Sequence, residues 1–529
     1  MLVVDLGAPP AVVALSPRLK TAGLGVAAVT AVTVGLWWGL QSDPLRGLGA
    51  AVAVLIGAGV LYLAVSVPGK SREGLLLGIG IPVAAMMAWT WLEEPLYVWA
   101  ITAAVGALVA WWTYPWWRDW RELAQLGGFW LAVSLWACGA ISALWLVREG
   151  VFAGRVVYGG FAILTALLVF TTVRKRGVDI SVGIAAGLLI CHAALLVLGA
   201  QYVFETGDRH TSDSAWGFAQ SSRFWGGPWL VYHPNFIAMT ALLAAIRIGA
   251  DSRFAAWLRW GVLGNAMLLL YIADSRTSLL MAGVASVAYA VLHLRRDGLL
   301  GSDADSIADP APRDPAPRDP AQRGTAARAW ARALIPLAAT LLVFVAAGGS
   351  DMLFKDRYHN DRDRRAVSAD AGRDMNAALS GRIEIWGMIL ADFGRDSTAE
   401  KVFGNADYPR GEILRHRDPS HQRYHTQPEL SADNVLVGAL RRGGAVGLTI
   451  IIIGGLVVLR RATRNGAPMW VTVVTLAAGA SLISEDELVG TTPLWMLVFA
   501  GEVWIWHRTR NPLGARSAEA VGSSVKAVR

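Results

Sequence analysis

The sequence predicts an all-α protein: a polytopic transmembrane helical bundle of about 12–14 spans with a long, partly helical extracytoplasmic loop. Three observations carry this. First, 54% of the 529 residues are hydrophobic and 17% are charged, against roughly 45–50% and about 25% in soluble globular chains. Second, the apolar residues come in blocks such as Gly47–Val67 and Ala333–Gly349, and about 20 such residues cross a bilayer as a helix. Third, basic residues gather on alternate connections. Arg18/Lys20, Lys70/Arg72, Arg118/Arg121, Arg174/Lys175/Arg176, Arg253, Arg295/Arg296, Arg460/Arg461/Arg464 and Arg508/Arg510 fall on one side; the opposite short connections hold Arg46 and Arg148. The positive-inside rule makes the basic side cytoplasmic and places both termini there. This composition excludes a soluble enzyme, a fibrous protein and a disordered chain.

Fourteen spans are expected, near 21–40, 47–67, 74–92, 96–113, 126–147, 153–172, 179–199, 233–250, 255–273, 277–294, 331–348, 436–459, 469–483 and 491–506. They group into N-terminal helices within 1–200, an outer loop at 201–232, and core helices at 233–297. A cytoplasmic linker follows at 298–330, then a helix at 331–348, the large outer loop at 349–433, C-terminal helices at 434–506 and a tail at 507–529. The linker repeats Asp-Pro-Ala-Pro-Arg at 309–313 and 314–318, and such Pro-rich low complexity predicts disorder. Cys138 and Cys191 both sit in apolar blocks, which predicts neither a disulfide framework nor a Cys-based metal site. Met1–Lys20 places its basic residues after an apolar start, the reverse of a cleavable signal peptide.

Function is expected in the loop at 349–433, because long polar loops between rigid elements commonly carry it. Leu379, Ile383, Trp386 and Leu390 recur there at helical spacing. They predict a helix with that face on the membrane domain and Arg382 off it.

Several residues are candidates for chemistry. Asp274-Ser275-Arg276 lies at the outer mouth of a span. A cation in a first helical turn is unfavourable by roughly 0.3–1 kcal/mol, yet a guanidinium beside free helix N–H groups makes a phosphate site. The alternative is an interfacial Arg paired with Asp274 or a lipid headgroup. His233-Pro234-Asn235 opens another span, where Pro is structurally cheap; it reads as a helix start or as an interfacial polar site. Ser380-Gly381-Arg382 offers a second outer arginine, and two guanidiniums can neutralise a diphosphate without a metal. His416, His421 and His425 are spaced by five and four. They read as solvated or interfacial histidines, as a general base, or least of all as metal ligands lacking a clear third partner. Glu485-Asp486-Glu487 reads as a solvated acidic turn. Asp433-Asn434, followed by Gly444 and Gly447, sets a carboxylate and an amide at a helix mouth: a helix cap, or a base if burial raises the carboxylate pKa.

Together these motifs resemble the O-antigen ligase and O-antigen polymerase superfamily. Ser275-Arg276 matches that family's Ser-Arg at a helix start. Gly381-Arg382 with Trp386 matches its Gly-Arg followed by Trp. Asn434, nine intervening residues, then Gly444 and Gly447 match its loop-closing pattern, although Asp433 stands where the family has His. His233-Pro234-Asn235 resembles its His-Pro-Asn. The match covers about 230–460.

The resemblance implies a metal-independent, inverting glycosyltransferase of the bacterial cytoplasmic membrane, without cofactor, acting on the outer face. Its donor would be a glycan on undecaprenyl diphosphate and its acceptor a glycan or lipid. Arg276 and Arg382 would hold the diphosphate and stabilise the leaving group, with Ser275, His233, Asn235, Trp386, Asn434 and His421 around the substrates. Asp433 would be the base, with His425 or His421 as alternatives. Polymerase is the first reading and ligase the second; a lipid-linked-sugar flippase or a scaffold are the other classes. Nucleic acid is excluded as a partner. The loop 349–433 holds 13 Lys+Arg against 15 Asp+Glu within a chain of net charge +8, so the positive excess reports orientation.

Overall fold

In the computed structural model, the residues described are 74–83, 120–145, 149–194, 234–251, 254–273, 276–296, 320–346, 382–404, 434–464, 466–482 and 493–510. All regular structure among them is helical. The helices are α1 Gly74–Val83, α2 Trp120–Leu123, α3 Gly127–Trp145, α4 Glu149–Arg176, α5 Ser181–Ala194, α6 Pro234–Gly249, α7 Ala256–Ala273, α8 Arg276–Arg296, α9 Pro320–Ala346, α10 Arg382–Arg395, α11 Thr398–Phe403, α12 Val435–Ala462, α13 Met469–Ser481 and α14 Pro493–Arg510.

Among the described residues, three stretches are long and apolar enough to cross a membrane: Thr277–Arg296, Ala329–Ala346 and Val435–Ala462. Shorter apolar helices include Ser181–Ala193, Ala238–Gly249 and Met469–Ser481. The expected spans at 21–40, 47–67 and 96–113 lie outside the described residues.

Two boundaries differ from expectation. The linker expected through residue 330 gives way to helix at Pro320. Pro is suited to a first helical position, and the alanines that follow are the strongest helix formers. α9 then runs through Pro336, whose ring would break many helices. Thr340 on the next turn donates its hydroxyl to the Pro336 carbonyl (2.9 Å), the back-bond to the preceding turn that Ser and Thr make in helices. α12, expected as a continuous span, is broken at Gly444 (φ 60°, ψ −159°).

The main core joins residues from α3 to α8 with α13 and α14. α3 packs along α12, α4 along α3, α6 between α5 and α7, and α8 between α9 and α13. Small residues set the closest approach. A Cβ on Gly127 would overlap the Gly454 carbonyl, and one on Gly454 would lie 3.1 Å from the Gly127 carbonyl. Such contacts let helix backbones meet where hydrophobic area alone provides little drive.

Buried charges lock one end of the bundle. Glu502 of α14 is 1% exposed. Its carboxylate accepts from the Gly127 and Gly128 N–H groups (2.9 and 2.7 Å) and from Arg461 Nη1 (2.7 Å), so an acidic side chain satisfies the free donors at the start of α3. Arg247 at the end of α6 is 2% exposed. It donates to Asp179 (2.7 Å), Ser181 (2.6 Å) and Asp251 (3.3 Å) and stacks over Trp470, 4.7 Å from the ring centroid. Glu122 pairs with Arg174 and Arg510 at this same end. This end therefore gathers the basic connections that the sequence placed on one side.

Candidate functional site

The opposite end carries the candidate motifs. α8 has 21 residues, a length of about 30 Å at 1.5 Å per residue. That length separates Arg276 at its start from Arg295 and Arg296 at its finish. Arg276 is the first helical residue of α8, and Arg382 is the first of α10. Both predicted arginines thus open helices, where uncompensated N–H groups favour anions. Asn235 falls in the first turn of α6, after Pro234. Ser275, His233, His421, His425 and Asp433 lie outside the described residues, as do Asp274, Gly381, His416 and 485–487.

Asn434 is the N-cap of α12. Its Oδ1 accepts from the N–H groups of Leu436 (2.9 Å) and Val437 (3.1 Å), the arrangement that makes Asn a favoured cap. The start of α12 is also tied to the end of α13 by the Val435 N–H, which donates to the Leu482 carbonyl (3.0 Å). The position next to Asp433 is therefore fixed by two elements.

α10 exists as predicted, but its buried face is rotated. Ile389 is buried and Trp386 and Phe393 are half-buried, whereas Leu390 is 50% exposed. The stripe 386–389–393 meets α12, because a spacing of three and four keeps these positions on one side.

The loop is held to the bundle by a clasp that the sequence did not reveal. A capping box starts α11: Ser397 accepts from the Glu400 N–H, and Glu400 accepts from the Ser397 N–H. α11 ends at Gly404 (φ 83°). Gly404 sits against the break in α12. A Cβ on Gly404 would overlap the Arg442 carbonyl, and one on Gly444 would overlap the Val402 carbonyl and lie 2.6 Å from the Gly404 nitrogen. The hydroxyl of Ser142, near the end of α3, donates to the Gly404 carbonyl. Gly444 is the first glycine of the loop-closing pattern. Its small size serves contact with the loop, and its positive φ serves the break. The signal available was Gly443-Gly444 beside Arg441-Arg442, and it could not separate a helix break from a helix-packing site.

Three further polar residues are buried in helices. Arg442, two residues before the break, is buried, and its Nε donates to the Gly438 carbonyl (3.3 Å). His192 near the end of α5 lies 2.9 Å from the Thr240 hydroxyl on α6. Asn265 in the middle of α7 is buried with neither amide atom paired among the described residues. His192 and Asn265 are each a single polar residue in an apolar run, and Arg442 is the buried member of the pair Arg441-Arg442; polar residues within membrane helices commonly face the bundle interior. No cluster of three or more metal-ligating side chains occurs among the described residues.

Comparison with protein-family models and with curated proteins finds no match for this chain.

Proposed function

We propose that this chain is a polytopic membrane glycosyltransferase that extends a polysaccharide from lipid-linked repeat units on the outer face of a bacterial cytoplasmic membrane. The carrying observation is the placement of Arg276 and Arg382 as the opening residues of α8 and α10. A lipid diphosphate leaving group gains negative charge as its bond to the sugar breaks. Guanidiniums beside helix N-termini oppose that charge without a metal. The acceptor hydroxyl attacks the anomeric carbon, its proton passes to a base, and the lipid diphosphate departs.

Asp433 is the favoured base, since in sequence it immediately precedes Asn434, the cap of α12. The clasp at Gly404 and Gly444 supports the same reading by seating the loop at the end where α12 begins. The alternative is a ligase, which differs in acceptor and uses the same donor site. A flippase is the less favoured class: the buried charges Arg247 and Glu502 are paired at the basic end, and buried Arg442 lies near the start of α12, whereas a transport path calls for charged groups near mid-span.

Arg276→Ala and Arg382→Ala are each expected to lower glycan extension at least about 100-fold, the effect of losing one transition-state donor, while membrane insertion persists. Polymer of normal length from either variant contradicts the assignment. Asp433→Asn is expected to abolish extension; retained activity transfers the base role to His425 or His421.

A further inference from the structure

α8, α9 and α13 enclose an open groove of 910 Å³. Its lining includes Leu280, Val287 and Arg295 of α8, Leu341 of α9, Leu476 of α13 and Thr463 at the end of α12. Leu280, Val287 and Leu341 are 46%, 51% and 59% exposed, so the groove opens sideways from the bundle. Ser286 and Thr340 join α8 to α9 through their hydroxyls (3.1 Å), and Ala290, Leu294 and Ala333 pack the two helices together towards their basic end. A Cβ on Gly283, another lining residue, would meet no atom within 4 Å.

The groove is polar at one end only. Arg295 lines it there and is exposed, Arg464 directly follows the lining residue Thr463, and Arg332 lies just over one turn before Leu337 of the α9 wall. Arg295, Arg332 and Arg464 are all exposed, and none has an ion-pair partner among the described residues. An apolar trough lined at one end by Arg295, with exposed Arg332 and Arg464 nearby in the chain, complements an amphiphile with hydrocarbon chains and an anionic head. Basic pockets between membrane helices on the cytoplasmic side bind such headgroups.

We propose that this groove is a binding site for an anionic phospholipid of the leaflet at the basic end, with its acyl chains along α8 and α9 and its phosphate at Arg295. The phosphate position at Arg295 lies at the far end of α8 from Arg276, while the acyl trough runs along α8 as far as Leu280. It rests on the chain residing in a membrane and is independent of glycosyl transfer.

The test uses the full chain purified in detergent, with phosphatidylglycerol or phosphatidylcholine added and bound lipid counted by native mass spectrometry. Phosphatidylglycerol is expected to be retained and phosphatidylcholine lost. Arg295→Gln is expected to weaken retention about fivefold, the worth of one basic residue at an anionic lipid surface. Gly283→Phe fills the trough and is expected to remove bound lipid. Arg395→Gln, at the opposite end, is expected to change nothing. Equal retention of the two lipids, or wild-type retention by Arg295→Gln, overturns the proposal. Displacement of phosphatidylglycerol by a polyprenyl phosphate at lower concentration also overturns it, and assigns the groove to the donor's tail. Should Gly283→Phe fail to fold, Arg295→Gln alone decides.

Discussion

Gly444 and Gly404 are the positions where a single methyl group has the most to disturb. Gly444 combines φ 60° with ψ −159°, a region essentially confined to glycine that costs other residues on the order of 1–3 kcal/mol. Its Cβ would in addition meet the backbone of α11. Gly444→Ala is therefore expected to release the loop helix from α12, read as faster protease cleavage in the loop after residue 404. Gly455→Ala supplies the contrast. Gly455 lies eleven residues further along the same helix with open space around it, and the change gains helix propensity. Its cleavage rate should match that of the unmodified protein, and equal protection of Gly444→Ala would refute the clasp. The sequence made the cap at Asn434 legible, because Asp-Asn before an apolar run is a local signal. It could not reveal the clasp, whose two glycines are separated by the long stretch of chain between α11 and α12.

At the scale of elements, α3 depends on a partner from the far end of the chain. Glu502 meets the first N–H groups of α3 and the guanidinium of Arg461 at once. Removing the buried partner of such a pair costs up to about 3–5 kcal/mol; here the Gly127 and Gly128 N–H groups lose their carboxylate acceptor, while Arg461 keeps the Gln125 carbonyl. Glu502→Ala is expected to lower the unfolding temperature of the purified protein by several degrees. Arg174→Ala, whose partner Glu122 also meets Arg510 at a half-exposed site, should cost far less. Indistinguishable unfolding temperatures for the two variants would refute the lock. The hydrophobic blocks made most helices legible, since length and apolarity are local properties. The rotation of α10 was not legible, because Leu390 and Ile389 are equally apolar and only contact with α12 selects between them. The early start of α9 was obscured by the Pro-rich repeat just before it.

For the whole molecule, two ends with different chemistry organise the account. One gathers Glu122, Arg174, Arg247, Arg461, Glu502 and Arg510 into paired networks. The other gathers the starts of α8 and α12 and the clasp between α11 and α12. That polarity was readable from the spacing of arginines between apolar blocks, although the partners of each arginine were not, since the Arg247–Asp179 pair spans 68 positions and the Arg461–Glu502 pair 41. The proposed reaction belongs to the second end. It is tested most directly by reconstituting the purified chain with an undecaprenyl-diphosphate-linked oligosaccharide and sizing the products, with and without EDTA. Longer lipid-linked glycan is expected from the unmodified protein, unaffected by chelator, and none from Arg276→Ala. No glycan transfer by the unmodified protein, or the same products from Arg276→Ala, would contradict it.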